Sequence, residues 1–185
     1  MSALKWRILV STLLLYSISY PNFAQSFKTE NGDATFLSKA PLNEFTGKSS
    51  QLQGLIDLDK NLLDFYLDLN TLKTGIGLRD RHMRDNYLET KKYPFAEFTG
   101  EIQESTEIAV GETKKVTAKG KFKIHGVERE IEVPGTLKRT SQDELVLEAT
   151  FMVLLNDYDI DIPSVIFYEL AEEQEVSILA TLKRQ

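Results

Sequence analysis

The chain has 185 residues, 42% of them hydrophobic and 27% charged, enough for one domain with a substantial core. It contains no cysteine, which excludes disulfides, thiolate catalysis, cysteine metal sites and lipid attachment at an N-terminal cysteine. A formal net charge of −6 argues against nucleic acid as a partner, and against general attraction to an anionic membrane, though local basic patches remain compatible with it.

The first residues read as a targeting segment. Met1 to Arg7 is basic through Lys5 and Arg7, and Ile8 to Tyr20 is a run of apolar and hydroxyl residues that includes Leu13, Leu14 and Leu15. Pro21 and Asn22 end the run, and Ala24-Gln25 offers a cleavage point, the pattern of a secretory signal peptide. The run is short for a membrane span of about 20 residues. Residues 1–24 are therefore expected to be removed, leaving 25–185 as one folded domain. That domain is expected to be exported, periplasmic or secreted, with no stable membrane insertion. Without Lys5 and Arg7 it carries 20 basic against 28 acidic residues, a net of −8.

Beyond the leader the dominant period is two. A short strand is expected at Ala34 to Leu37. Leu52, Gly54, Ile56 and Leu58 then share one face, as do Phe65, Leu67 and Leu69, with Asp59-Lys60-Asn61 as the turn between them. Leu78 to Lys92 breaks the alternation. Rich in charge and free of glycine and proline, it predicts a short helix, with Asp80 and Lys91-Lys92 complementing the helix dipole. Met83, Tyr87 and Leu88 would face the core, and Tyr93-Pro94 would end the helix.

A further short strand is expected at Phe98 to Ile102. Val116, Ala118, Gly120, Phe122 and Ile124 alternate with a lysine-rich row from Lys115 to Lys123. Val127, Arg129, Ile131 and Val133 alternate with Glu128, Glu130 and Glu132, and His125-Gly126 lies between the two runs. This predicts a β-hairpin whose outer faces match lysine with glutamate. Leu145, Leu147, Ala149, Phe151 and Val153 form a long inner row, and Val176, Ile178, Ala180 and Leu182 close the chain. Seven or eight short strands with one helical insertion point to an all-β closed barrel or a sandwich. A barrel of about eight strands either fills with side chains or holds one small ligand.

Little of the chain suggests catalysis. His82 and His125 are the only histidines, and no HxH or HExxH spacing, nucleophile elbow, phosphate loop or dinucleotide fingerprint occurs. No metal, cofactor or catalytic residue is expected. Asp157, Asp159 and Asp161 could bind calcium, but read better as the wet face of a strand, because the calcium-loop spacing and its glycine are missing. Arg79, His82 and Arg84 are suited to a polar or phosphorylated head group, against the plainer reading of a solvated helix paired through Asp80, Asp85 and Glu89. Gly54, Gly100 and Gly120 fall on inner faces, where they would either make room for a ligand or relieve strain.

Three stretches then resemble one family. Arg79-Asp80-Arg81-His82-Met83-Arg84, Tyr93-Pro94-Phe95 and Ile124-His125-Gly126-Val127 are similar, in order and spacing, to motifs of the YceI-like proteins, which bind lipids and polyisoprenoids. The resemblance runs from about Ala34 to Leu182. Phe36 to Gln53 lacks the lysine-histidine pair of the family's usual opening, and Met83 stands where leucine is commoner.

The resemblance implies an antiparallel lipocalin-like β-barrel with a long apolar pocket. Its ligand would be an isoprenoid or other long-chain lipid, held for transport, storage or sequestration. No catalytic residue comes over with the motifs. Phe65, Leu67, Met83, Phe122, Leu147 and Phe151 are the expected apolar lining, and Arg79, His82 and Arg84 the expected head-group residues. A homodimer is one assembly this reading allows. Its rivals are a lipid-modifying enzyme using His82 or His125, and an interaction protein using the Lys115–Lys123 or Glu128–Glu132 face.

The physics asks for a long tail. A five-carbon isoprene unit is worth roughly 3–4 kcal/mol at about 0.8 kcal/mol per buried methylene. Association costs on the order of 4–15 kcal/mol, so several units must be buried together.

Overall fold

The computed structural model describes residues 25–162 and 170–185; the expected signal segment, residues 1–24, lies outside the described residues. Eight antiparallel strands follow in order: β1 (Ser26–Ala40), β2 (Asn43–Asp57), β3 (Leu62–Asp68), β4 (Phe95–Ile102), β5 (Thr113–Ile124), β6 (Val127–Arg139), β7 (Glu144–Leu154) and β8 (Glu173–Arg184). Each pairs with the next, and β1 pairs with β8 from Phe27↔Arg184 to Ser38↔Gln174. One ladder therefore closes on itself, and the barrel, not the sandwich, is the architecture. Among the described residues no helix is long and apolar enough to cross a membrane.

The alternating rows face where their period places them. Leu52, Ile56 and Leu58 of the second row, Val116, Ala118 and Phe122 of β5, and Leu145, Leu147 and Val153 of β7 are buried. The β5–β6 turn has both His125 (φ 54°) and Gly126 (φ 80°) in the left-handed region, the geometry that matches a two-residue hairpin to strand twist. Outside, Lys121 meets Glu128 at 2.8 Å, and Lys119 lies 3.4 Å from Glu130.

Three expectations change, and one open choice closes. β1 and β2 are each 15 residues long, far beyond the short strand read at Ala34 to Leu37. The helix is shorter: an α-helix, α1 (Gly77–His82), runs into a wider π turn at Met83–Tyr87. Its wide bond, Leu88 N–H to the Met83 carbonyl at 2.9 Å, brings both apolar side chains to the core, and Glu89 then leaves the helix at φ 44°. The acid row is not on a strand, because Leu155–Tyr158 form a 3₁₀ turn and Asp159 is left-handed at φ 54°. Finally, the inner glycines do not open space. A Cβ on Gly54 would collide with the Phe65 ring, and Gly100 and Gly120 face each other so closely that a Cβ on either would strike the other strand's backbone.

The two ends of the barrel differ. At the end where β1 starts, Phe27, Leu145 and Leu182 are fully buried and Leu58 and Ile108 nearly so. The β4–β5 connection crosses this end, with Gly111 N–H bonded to the Arg139 carbonyl at 2.7 Å and Arg139 N–H to the Glu112 carbonyl at 3.0 Å. At the other end two seams part. β2 and β3 pair only from Gln53↔Tyr66 to Asp57↔Leu62, and β6 and β7 only from Gly135↔Ala149 to Arg139↔Leu145. These seams lie four strands apart, on opposite sides of the barrel. The first is bridged at Lys48↔Lys73, and the second by the 3₁₀ turn, whose Asp157 carbonyl accepts from Arg129 Nε at 3.0 Å.

Candidate functional site

The parted end leads into the barrel. A cavity of about 560 Å³ runs from the wall around Ile56, Leu63 and Ile102 to a mouth bordered by Asn43, Ile76 and Leu78. Such a volume lies within the roughly 300–1,000 Å³ of typical ligand sites. The plug residues Phe27, Leu58, Leu145 and Leu182 do not border it. The hollow is therefore blind at one end and open at the other.

Its wall is almost wholly apolar. Phe65, Leu67, Met83, Phe122, Leu147 and Phe151, the six residues expected to line a pocket, all border it. Phe122 anchors one side, its ring 5.6 Å from that of Phe151 and 5.5 Å from that of Tyr158, both edge-on. Tyr158 also plugs the β6–β7 seam; burial, and then the Asp157 charge, push its hydroxyl above the usual pKa. Burial does the same to Tyr87, a residue of the cavity wall.

The mouth is polar on one side. Arg79 stacks over the Phe45 ring at 4.2 Å from the centroid, and Phe45 packs edge-on against Phe36 at 6.0 Å. The Arg79 Nη1 atom is buried, and among the described residues it has no hydrogen-bond partner. His82 also borders the cavity and is exposed. Gln174, at the start of β8, donates from Nε2 to the Ala171 carbonyl at 2.7 Å, while its Oε1 is buried without a donor among the described residues. The cavity rim thus offers an unanswered donor on Arg79 and an unanswered acceptor on Gln174. Such buried polar atoms are costly unless a ligand or water meets them.

Arg84 does not border the cavity. Its charge acts on Asp80, which is buried and accepts from both the Thr74 amide and hydroxyl at 2.7 Å. Burial alone would raise the Asp80 pKa. The Thr74 hydrogen bonds, with the charges of Lys73 and Arg84, outweigh burial and hold it below the usual aspartate value. Asp80 thereby ties α1 to the preceding loop and leaves Arg79 free to lie on Phe45.

His125 is outside the cavity as well. Its ring nitrogens bond the Tyr158 carbonyl at 3.0 Å and Glu89 at 2.9 Å, and Tyr93 packs edge-on at 4.9 Å between ring centroids. It joins the β5–β6 turn to the connection after α1. No group of three or more potential metal ligands exists among the described residues.

Phe36, Phe45 and Gln174 were not anticipated as site residues. Phe36 and Phe45 lie on either side of the Pro41-Leu42 turn as diagonal neighbours, Phe36 opposite Gly47 and Phe45 opposite Ser38, and a hairpin at that turn was the available signal. Gln174 carried none, since a lone glutamine beside glutamates reads as surface.

A family model described as the YceI-like domain matches residues 26–182. The structure is similar to that of a polyisoprenoid-binding domain from Saccharophagus degradans implicated in plant cell wall breakdown: 21% identity, TM-score 0.78, covering 88% of this chain and 99% of that one. It is similar to BcnA of Burkholderia cenocepacia at 16% identity and TM-score 0.67, over 82% and 95% of the respective chains. A YceI protein of Campylobacter jejuni aligns at 16% identity and TM-score 0.60, over 75% and 84%. At these identities the likeness is one of fold. No curated protein matches in sequence.

Proposed function

From the premise that the chain belongs to the YceI-like family, we propose that it binds a long-chain lipid, an isoprenoid or similar hydrocarbon, with the tail inside the barrel. The observation that carries this reading is the blind apolar cavity of about 560 Å³. The polyisoprenoid-binding domain with the same fold supports it. The tail lies against Phe65, Leu67, Met83, Phe122, Leu147 and Phe151, and the head group stays at the mouth. There Arg79 Nη1 and His82 meet an anionic oxygen, and Gln174 Oε1 accepts from a hydroxyl. The polar contacts are few, so tails of similar length are discriminated poorly.

The protein acts as a carrier or store in this reading, not as an enzyme. His125, one of the two candidate acid–base groups, is engaged in the wall with Glu89 and Tyr158. The basic, apolar start of the chain supports export to the periplasm or beyond, with cleavage near Ala24-Gln25.

Native mass spectrometry of the purified protein, with extraction of any bound lipid, tests the reading. The expected result is a bound species of lipid mass that is absent from A149W, because Ala149 borders the cavity and a tryptophan there fills it. A protein that carries no lipid and takes none up from added isoprenyl phosphate contradicts the reading.

A further inference from the structure

The rim of the open end exposes apolar surface that no part of the described fold covers. Leu42, at the tip of the β1–β2 hairpin, is 77% exposed; Ile76 and Leu78, at the start of α1, are 51% and 59% exposed. Leu42 and Leu78 are the two most exposed large apolar side chains among the described residues. The hairpin and the α1 segment are held together by the Lys48↔Lys73 bridge and by Arg79 on Phe45. Ile76 and Leu78 also border the cavity, so apolar surface is continuous from the outer rim to the interior.

The same rim reverses the sign of the chain. Residues 39–48 and 72–85 hold six basic side chains, Lys39, Lys48, Lys73, Arg79, Arg81 and Arg84, against three acids, Glu44, Asp80 and Asp85. Asp80 is buried in its Thr74 hydrogen bonds, and Asp85 pairs with Lys91 at 3.6 Å. The whole chain has a net charge of −6, so this basic patch is a local exception. Across the mouth, the turn that bridges the β6–β7 seam is acidic, with Asp157 and Asp159. The open end therefore has a basic, apolar lip and an acidic lip.

We propose that the basic lip is a docking surface for an anionic lipid bilayer, with Leu42, Ile76 and Leu78 entering the interface and Lys39, Lys73 and Arg81 lying among the head groups. Exposed apolar side chains ringed by bases are the composition of an interfacial membrane contact. The acidic lip is repelled by the same surface, so the contact has one orientation, with the mouth beside the bilayer. A tail then passes between bilayer and cavity along Ile76 and Leu78 without crossing water. A second copy of the chain fits the patch less well, because a two-fold contact through it sets basic residues against basic residues. The transfer step rests on the lipid-binding reading above; the docking step does not.

Co-sedimentation with vesicles tests the docking. The probes are vesicles of phosphatidylglycerol and phosphatidylcholine in equal parts, and vesicles of phosphatidylcholine alone. The protein is expected to bind the mixed vesicles, more weakly as salt is raised, and the neutral ones poorly. The triple variant L42S/I76S/L78S and the double variant K39E/R81E are each expected to bind the mixed vesicles at least about tenfold more weakly. All five positions are exposed, so melting temperature should be unchanged, and the two variants fail independently if one misfolds.

A protein that ignores mixed vesicles, or variants that bind them as well as the parent, overturns the proposal. So does a dimer, detected by sedimentation equilibrium, that the triple variant dissolves, since the patch then covers a second copy. Bound lipid is read separately by native mass spectrometry. Docking without cargo removes the lipid-binding reading, and cargo without docking removes this one.

Discussion

The two ends of this barrel are built from the same alternating rows and reach opposite outcomes. Along β7, Leu145 is fully buried in the closed end, while six residues later Phe151 stands half-buried on the cavity wall. Nothing in the hydrophobicity of that row separates the two positions. Their surroundings do. At the closed end, where Arg139 pairs with Leu145, the interior packs solid around Phe27, Leu145 and Leu182, and the cavity begins one inward position along, at Leu137 and Leu147. Above Ala149 the pairing stops and the walls part. Alternation selects the inward face of a strand; the segments that cross an end of the barrel, such as the β4–β5 connection with Ile108, decide whether the space behind it is filled.

The polar residues divide in the same way. At the closed end Arg139 is buried, and its guanidinium donates to the carbonyls of Ile108, Ser141 and Gln142 and to Gln25 Oε1, beside the Phe27 ring. Each of its three nitrogens donates to protein. At the open end Arg79 keeps a buried Nη1 without a partner among the described residues. One arginine completes the fold, and the other keeps a donor that the described residues do not meet.

The contrast can be broken most forcefully at the plug. Phe27→Ala should lower stability by about 3–5 kcal/mol in chemical denaturation, because a fully buried ring is lost from a packed region. The bound-lipid mass should not change, since Phe27 does not border the cavity. A mild loss, under about 1 kcal/mol, would mean the closed end is loosely packed.

Arg139→Leu comes next. It leaves three carbonyls without their donor and should cost about 2–3 kcal/mol by the same measurement. Arg79→Leu sharpens the other side of the comparison. Stability should shift by less than about 1 kcal/mol, the scale of its cation–π contact. Affinity for an isoprenyl phosphate, followed by titration calorimetry, should fall roughly tenfold to a hundredfold, the loss of a charge-assisted hydrogen bond. Equal affinity in the variant would remove Arg79 from the head-group site.

The smallest effect concerns the support of α1. The folded-state pKa of Asp80 lies below its ordinary value, so its contribution to stability is complete above roughly pH 4 and fades as pH falls through the lower folded value. The stability gap between the parent and Asp80→Asn should be constant at neutral pH and narrow only in acid. A gap that widens in acid would show that Asp80 is not held as a carboxylate by Thr74.

Much of the fold was legible because its rows are apolar and its turns chemically marked. His125-Gly126 and Asp59-Lys60-Asn61 punctuate the chain where left-handed residues occur, at His125, Gly126 and Asn61. The extent of β1 and β2 was not legible. Their buried positions include Thr29, Ser38, Gly47 and Ser49, small or polar residues that a search for alternating apolar side chains passes over. Ser38 is fully buried because its hydroxyl accepts from the Ala171 amide at 3.1 Å, a partner 133 residues away.

The π turn was hidden for a related reason: Met83 and Leu88 share the core only through a bond pattern that local propensity does not encode. The β2–β3 seam follows from unequal lengths, seven residues in β3 against 15 in β2. Of the site, the apolar lining could be read from inner rows, whereas the separation of Arg79 from Arg84 depends on where α1 lies against Phe45.

A homologous series of alkyl phosphates tests most directly whether the blind hollow takes a hydrocarbon tail. Titrated against the protein in order of length, affinity should rise by about fourfold per added methylene, from roughly 0.8 kcal/mol each. It should level off once the cavity is full. Affinity that does not depend on chain length, with the shortest phosphate binding as tightly as the longest, would place the ligand outside the barrel and contradict the account.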